Sequence, residues 1–182
     1  MAIPADDASP LDWLLFEQAG VLTHRQAVAH LGPGAVRHRL ATNRWRRLSA
    51  GVRVTRPGPL GAEQHAWVAV LAAGPGALLG GIAAATAGGL RGRWQRTAVD
   101  VLVPDDRRPP DLLRRLPADL PAVKVRRTTA LPEEDRQPAR PDRTTMARSV
   151  VDAAQWAPND DEARAVIAAA CRQGRVLPAE IL

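Results

Sequence analysis

The chain has 182 residues, 46% hydrophobic and 24% charged, a balance that excludes a disordered or fibrous protein and leaves room for one domain or two small ones. Its single cysteine, Cys171, excludes an intramolecular disulfide and a thiol-built zinc site, and points to a reducing, cytoplasmic setting. The formal net charge is +6, and its distribution is more informative than its size, because no Asp or Glu lies between Glu17 and Glu63 while eight arginines and three of the four histidines do.

Those arginines are Arg25, Arg37, Arg39, Arg44, Arg46, Arg47, Arg53 and Arg56, and the 17 basic residues left over from 25 face all 19 acidic ones. A positive field confined to one segment is the electrostatic footprint of a protein that meets a polyanion. Without such a partner the same segment is a solvated basic face. Met1 to Pro10 has neither a basic start nor an apolar run, so it does not read as a secretion signal.

Leu11 to Ala19 spaces Leu11, Leu14, Leu15 and Ala19 as an amphipathic helix, entered through Ser9-Pro10 and closed by Gly20. Thr23 caps a second helix with Ala27, Val28 and Leu31 on one face and Gly32-Pro33-Gly34 as its stop. A third runs from Ala35 to Thr42, with Val36 and Leu40 one turn apart and inward. At 100° per residue His38 then points away from the core and Thr42 shares its side, with Arg37 and Arg39 flanking them. Trp45–Leu48 and Val52–Thr55, separated by Ser49-Ala50-Gly51, predict a hairpin.

Three short helices followed by a hairpin predict a winged helix-turn-helix over residues 8–57. A helix is slim enough for a major groove ~12 Å wide, and the third helix has the side chains for it. Ala35 permits close approach, His38 and Thr42 offer hydrogen bonds to bases, and Arg37 and Arg39 reach phosphates on both sides. Thr23, His24 and Arg25 bring the second helix's N-terminus to a phosphate. Arg44, Arg46, Arg47 and Arg53 follow the backbone along the hairpin or enter the adjacent minor groove. In the bland reading, Trp45, Leu48, Val52 and Val54 are a ribbon's core side and the arginines keep it soluble.

Pro57-Gly58-Pro59 predicts a hinge, after which residues 60–182 form a small mixed α/β domain with C-terminal helices. Its expected elements are a helix over Leu60–Ala73, a buried strand over Ala77–Leu79 and a helix over Ile82–Ala87. Strands follow over Ala98–Val103 and, at an edge, Val123–Arg126, with a short helix at Asp111–Leu116 between them. Two helices close the chain, one from Thr144-Thr145 through Ala154 and one capped by Asn159-Asp160 that ends before Gly174. Ala66 to Leu90 is 25 residues without a charged side chain, but six glycines and Pro75 interrupt it, so it reads as two buried helices and not a membrane span. Cys171 lies with Val166 and Ile167 and reads as a core residue.

Enzyme signatures are missing from the sequence. Lys124 is the only lysine and Ala122 stands two before it, so the usual nuclease strand is not formed, and Asp100 and Asp105-Asp106 read as a strand end and a solvated turn. No Gly-x-Ser-x-Gly elbow and no phosphate-binding Gly-x-x-x-x-Gly-Lys loop occurs. The expectation is a protein that is not an enzyme and takes no cofactor, metal or small-molecule ligand.

The run Gly20-Val21-Leu22-Thr23-His24-Arg25-Gln26-Ala27, then Val36-Arg37-His38-Arg39-Leu40, then Asn43-Arg44-Trp45-Arg46-Arg47-Leu48 to Ala50-Gly51-Val52, resembles the N-terminal winged-helix domain of AbiEi-type antitoxins. Val99-Asp100-Val101-Leu102-Val103-Pro104, Val125-Arg126-Arg127-Thr128 and Thr145-Met146-Ala147-Arg148-Ser149-Val150-Val151-Asp152 look like the segment that follows it in many such proteins. What the resemblance implies is a cytoplasmic bacterial antitoxin of a type IV toxin-antitoxin pair. Its winged domain would bind double-stranded DNA at its own operator and repress the operon, and its C-terminal part would counter a nucleotidyltransferase toxin. Two alternatives stand beside it: an antitoxin whose basic segment meets an acidic toxin surface and never DNA, and a nuclease-related remnant.

Overall fold

The structure, a computed structural model, describes residues 3–94, 98–106 and 116–181. Among these residues it holds six α-helices and two β-sheets, an α+β architecture. The chain divides into two units, Met1–Pro75 with Pro109–Pro121, and Gly76–Arg108 with Ala122–Leu182.

In the first unit α1 (Pro10–Glu17) starts in a capping box: the Asp12 backbone N–H donates to the Ser9 hydroxyl, and the Asp12 carboxylate accepts from the Ser9 N–H. The next helical span, α2 (His24–Ala41), is two helices with a break at Gly32, whose φ of 76° and ψ of 159° leave the helical region. Pro33 explains the position of the break. Within a continuous helix its ring would strike the carbonyl four residues back and it would donate no hydrogen bond, whereas at the first position of a new helix neither matters. The second and third helices expected from the sequence are therefore both formed, with one residue between them.

β1 (Val21–Thr23), β2 (Arg46–Arg47) and β3 (Val52–Val54) form an antiparallel sheet in the order β1-β3-β2. β2 and β3 are the expected hairpin. β1 was expected only as the entry to a helix; its partner is β3, with Val21 opposite Val54 and Thr23 opposite Val52. Successive strand residues face opposite ways, so Val21 and Leu22 enter different cores. Val21, Leu48, Val52 and Val54 pack with Val68 and Ala72 of α3 (Ala62–Ala73), edged by Trp67, Leu71, Leu116 and Leu120. Leu22 packs with Ala27, Val36 and Trp45, edged by Leu11, Leu14, Leu15 and Leu40.

The sheet is thus covered on one face by α1 and α2 and on the other by α3. This moves the expected boundary: Pro57–Pro59 is a turn inside the first unit, and the division falls after Pro75. Burial explains the difference, since the β3 valines need a cover that α1 and α2 do not supply on that face. Gln64 fastens α3 by donating from Nε2 to the Ala19 carbonyl at 3.0 Å.

The second unit has a five-stranded sheet in the order β6-β5-β4-β8-β7, from β4 (Leu78–Leu79), β5 (Ala98–Pro104), β6 (Ala122–Thr128), β7 (Arg136–Gln137) and β8 (Arg143–Thr144). β5 and β6 run parallel in register from Ala98 opposite Ala122 to Pro104 opposite Thr128. α4 (Gly81–Ala87), α5 (Met146–Gln155) and α6 (Asp160–Arg172) share a core of Ala85, Leu90, Val150, Ala153, Val166 and Ala170, against which the half-buried Cys171 packs as expected. β7 and β8, two residues each, were not expected. The helix expected at Asp111–Leu116 lies, apart from Leu116, outside the described residues. Among the described residues no helix is long and apolar enough to cross a membrane, and β4 separates the two halves of the charge-free run.

Candidate nucleic-acid interface

Thr23 caps α2 by accepting from the Gln26 backbone N–H at 3.1 Å, while its own N–H donates to Gln26 Oε1 at 2.8 Å. The His24 N–H donates to the Gly51 carbonyl at 2.7 Å, fastening the start of the helix to the hairpin turn. Two of the first three N–H groups of α2 are therefore used inside the protein, and that of Arg25 remains for a ligand. The side chains of His24 and Arg25 are exposed.

In the second half of α2, Val36 is buried and Leu40 half-buried, so the helix turns the residues between them outward. Arg37, His38, Ala41 and Thr42 are exposed, and Ala35 is half-buried beside them. Thr42 is the C-cap, and its hydroxyl donates to the His38 carbonyl at 2.8 Å, which leaves its oxygen as an acceptor toward solvent. Arg39 is half-buried, its guanidinium 5.5 Å from the centre of the Trp45 ring. A cation over an aromatic face loses side-chain freedom while its N–H fork stays open.

The hairpin arginines divide three ways. Arg44 and Arg47 are exposed, Arg47 donating from Nε to the Ser49 carbonyl at 3.3 Å. Arg46 is held by Asp119 through a two-oxygen grip from one Nη2, at 2.8 and 3.0 Å, and this bond keeps the Asp119 carboxyl below its usual range. Arg53 is only 4% exposed; its Nη1 donates to the carbonyls of Ser49, Ala50 and Val52 at 2.7, 3.2 and 3.1 Å. The two expectations that placed Arg46 and Arg53 on DNA backbone are corrected accordingly. Arg46 is occupied by a carboxylate, and Arg53 is a buried brace of the hairpin turn.

Side chains that remain open are therefore Arg25, Arg37, Arg44 and Arg47 as exposed cations, with Arg39 half-exposed, around the polar face of His38 and Thr42. Among the described residues no carboxylate pairs with any of the five. Asp119 was not found in the sequence because it lies 73 positions from Arg46, in a proline-rich stretch that carries no pattern pointing to the hairpin.

No family model and no curated protein matches the chain.

The second unit carries a separate polar network. Arg148 bridges Asp135 at 2.8 Å and Asp152 at 2.9 Å, and Arg126 binds Asp100 at 3.2 Å while stacking 4.6 Å from the Trp156 ring centre. Burial pushes the Asp100 and Asp152 carboxyls above the ordinary range, against the pull of their arginines. Asp100 is thus a buried mid-strand residue and not a strand end. In register it faces Lys124, and the two line a cavity of about 210 Å³ with Arg126, Trp156 and Glu162. Among the described residues no three His, Cys, Asp or Glu side chains gather as a metal site.

Proposed function

We propose that the first unit is a winged helix-turn-helix that binds double-stranded DNA, and that the protein is a transcriptional regulator of antitoxin type acting on its own operon. The observation that carries this reading is the second half of α2. It presents Arg37, His38, Ala41 and Thr42 to solvent, flanked by exposed arginines at the start of α2 and on β2 with which no carboxylate among the described residues pairs, in a stretch of sequence free of carboxylates. Set into a major groove, this half-helix brings His38 and Thr42 to base edges, while Arg25, Arg37, Arg44 and Arg47 lie along the phosphates. Arg39 is pre-oriented by Trp45 for the same backbone. The antitoxin part, with a nucleotidyltransferase toxin as partner of the second unit, rests on the resemblance described above.

The test is binding of a fluorescent duplex by anisotropy, first with random sequence and then with sites enriched from a random library. The fourfold variant Arg25→Ala, Arg37→Ala, Arg44→Ala, Arg47→Ala removes exposed side chains only, so it keeps the fold and loses DNA. Enrichment that yields no consensus, or a variant that binds as well as the parent, rejects the proposal. A variant that loses DNA but still neutralises a cognate toxin separates the DNA-binding function from the protein-interaction alternative.

A further inference from the structure

Two of the hairpin arginines are arranged in a way that the fold alone does not favour. Arg47 and Arg53 are directly opposed partners in the antiparallel β2–β3 register, so their side chains share one face of the sheet. Like charges in that position destabilise a sheet. Arg53 is moreover buried, its Nε has no acceptor, and among the described residues no carboxylate pairs with either guanidinium. Carbonyl oxygens solvate Arg53 but do not neutralise it, and a buried charge without a counter-ion is costly. The same turn receives the start of α2 through the His24 N–H on Gly51, which adds the partial positive charge of a helix N-terminus. Three positive features thus converge on this turn, with no carboxylate among the described residues to balance them.

We infer that this face of the hairpin is a seat for one phosphate group, gripped by the exposed Arg47 and charged from beneath by the buried Arg53. Arg47 presents a planar fork suited to phosphate oxygens. Arg53, which cannot reach a ligand itself, fixes the Ser49–Val52 turn and supplies the field. Arg53 is thus a positioning residue. The inference rests on the DNA-binding reading only in assigning the phosphate to a DNA strand, and a free phosphate compound would use the same chemistry.

The experiment has two arms. In the first, thermal unfolding is followed while chloride is exchanged for inorganic phosphate at constant ionic strength. The parent midpoint rises and saturates, and the rise is lost in Arg47→Met and in Arg53→Met, which control for the general stabilising effect of phosphate on folded proteins. In the second arm, both variants weaken duplex binding by about tenfold, the loss of one charge-assisted contact. A parent that responds to phosphate no more than Arg47→Met overturns the seat, and because Arg47 is exposed this comparison stands even if Arg53→Met does not fold. A phosphate response retained in a folded Arg53→Met overturns the role given to Arg53. A saturating, Arg47-dependent response in a protein that binds no DNA keeps the seat, identifies the ligand as a free phosphate, and rejects the DNA-binding reading instead.

Discussion

Under the proposed function, the number of open arginines sets how steeply affinity for DNA weakens with salt. Each phosphate neutralised by a side chain releases condensed counter-ions, so log K falls against log salt with a slope of about −0.9 per contact. Eight arginines lie in the carboxylate-free stretch, but Arg53 is buried, Arg46 is held by Asp119, and Arg56 lies beyond the hairpin strands. Arg25, Arg37, Arg39, Arg44 and Arg47 remain, which gives a slope of about −4.5, or roughly a 500-fold loss of affinity between 50 and 200 mM salt. Anisotropy titrations across that range measure it directly. Arg44→Ala should flatten the slope by about 0.9, whereas Arg46→Ala should leave it unchanged because its guanidinium is already occupied. A slope flatter than about −2, or an Arg46→Ala variant that flattens it as much as Arg44→Ala, would refute the division of these arginines into open and occupied.

Three further outcomes follow from particular contacts. Asp119→Asn frees Arg46: the slope should steepen by about 0.9 and stability should hardly change, since the Asp119 side chain is exposed and such a pair contributes little; an unchanged slope would mean that Arg46 cannot reach the backbone even when released. Gly81→Ala places a Cβ 2.7 Å from Cε3 and Cζ3 of Trp156 at a residue with φ of 51°, and strain plus overpacking should lower urea stability by about 2–4 kcal/mol; a loss below about 0.5 kcal/mol would show that the ring moves aside freely. Asp152, raised by burial above its ordinary value near 3.8, takes its proton at higher pH folded than unfolded, so its share of stability increases as pH falls from the raised value toward the ordinary one. The difference in denaturation free energy between the parent and Asp152→Asn should therefore grow in the parent's favour as pH falls through that window, and a pH-independent difference would contradict the shift.

Much of the first unit was legible because its signals are local. Ser9 and Thr23 with their partners three residues on, the Gly32-Pro33 break, and the Val36–Leu40 spacing each fix a helix from within a few residues. β1 was not legible, because three residues carry no period and its only reason to be extended is β3, some thirty positions away. Likewise, nothing near Pro57 indicates that α3 must cover the β3 valines, so a local turn signal was read as a boundary between domains. The same limit governs the charges. Clustering of arginines is visible in the sequence, but whether each one is free depends on distant partners such as Asp119 or on strand register.

Register decides the case of Arg53 in particular. Alternation along β3 correctly placed it opposite Val52 and Val54, and solvent was the natural assignment for the far side of a two-stranded ribbon. The third strand changes that assignment, because with β1 on one flank and β2 on the other β3 is central, and its far face lies between Leu22 and Arg47. An arginine on a central strand must either find acceptors or unfold its surroundings, and the Ser49–Val52 turn provides the acceptors. What the turn does not provide is negative charge. The unit therefore leaves a positive potential next to the exposed Arg47, beside the start of the same helix whose second half carries His38 and Thr42. A substitution that supplies the missing charge from within, Ala50→Asp on the exposed turn, should accordingly stabilise the unit and weaken its hold on DNA at the same time. Stabilisation with duplex affinity unchanged would show that the buried charge serves the fold alone.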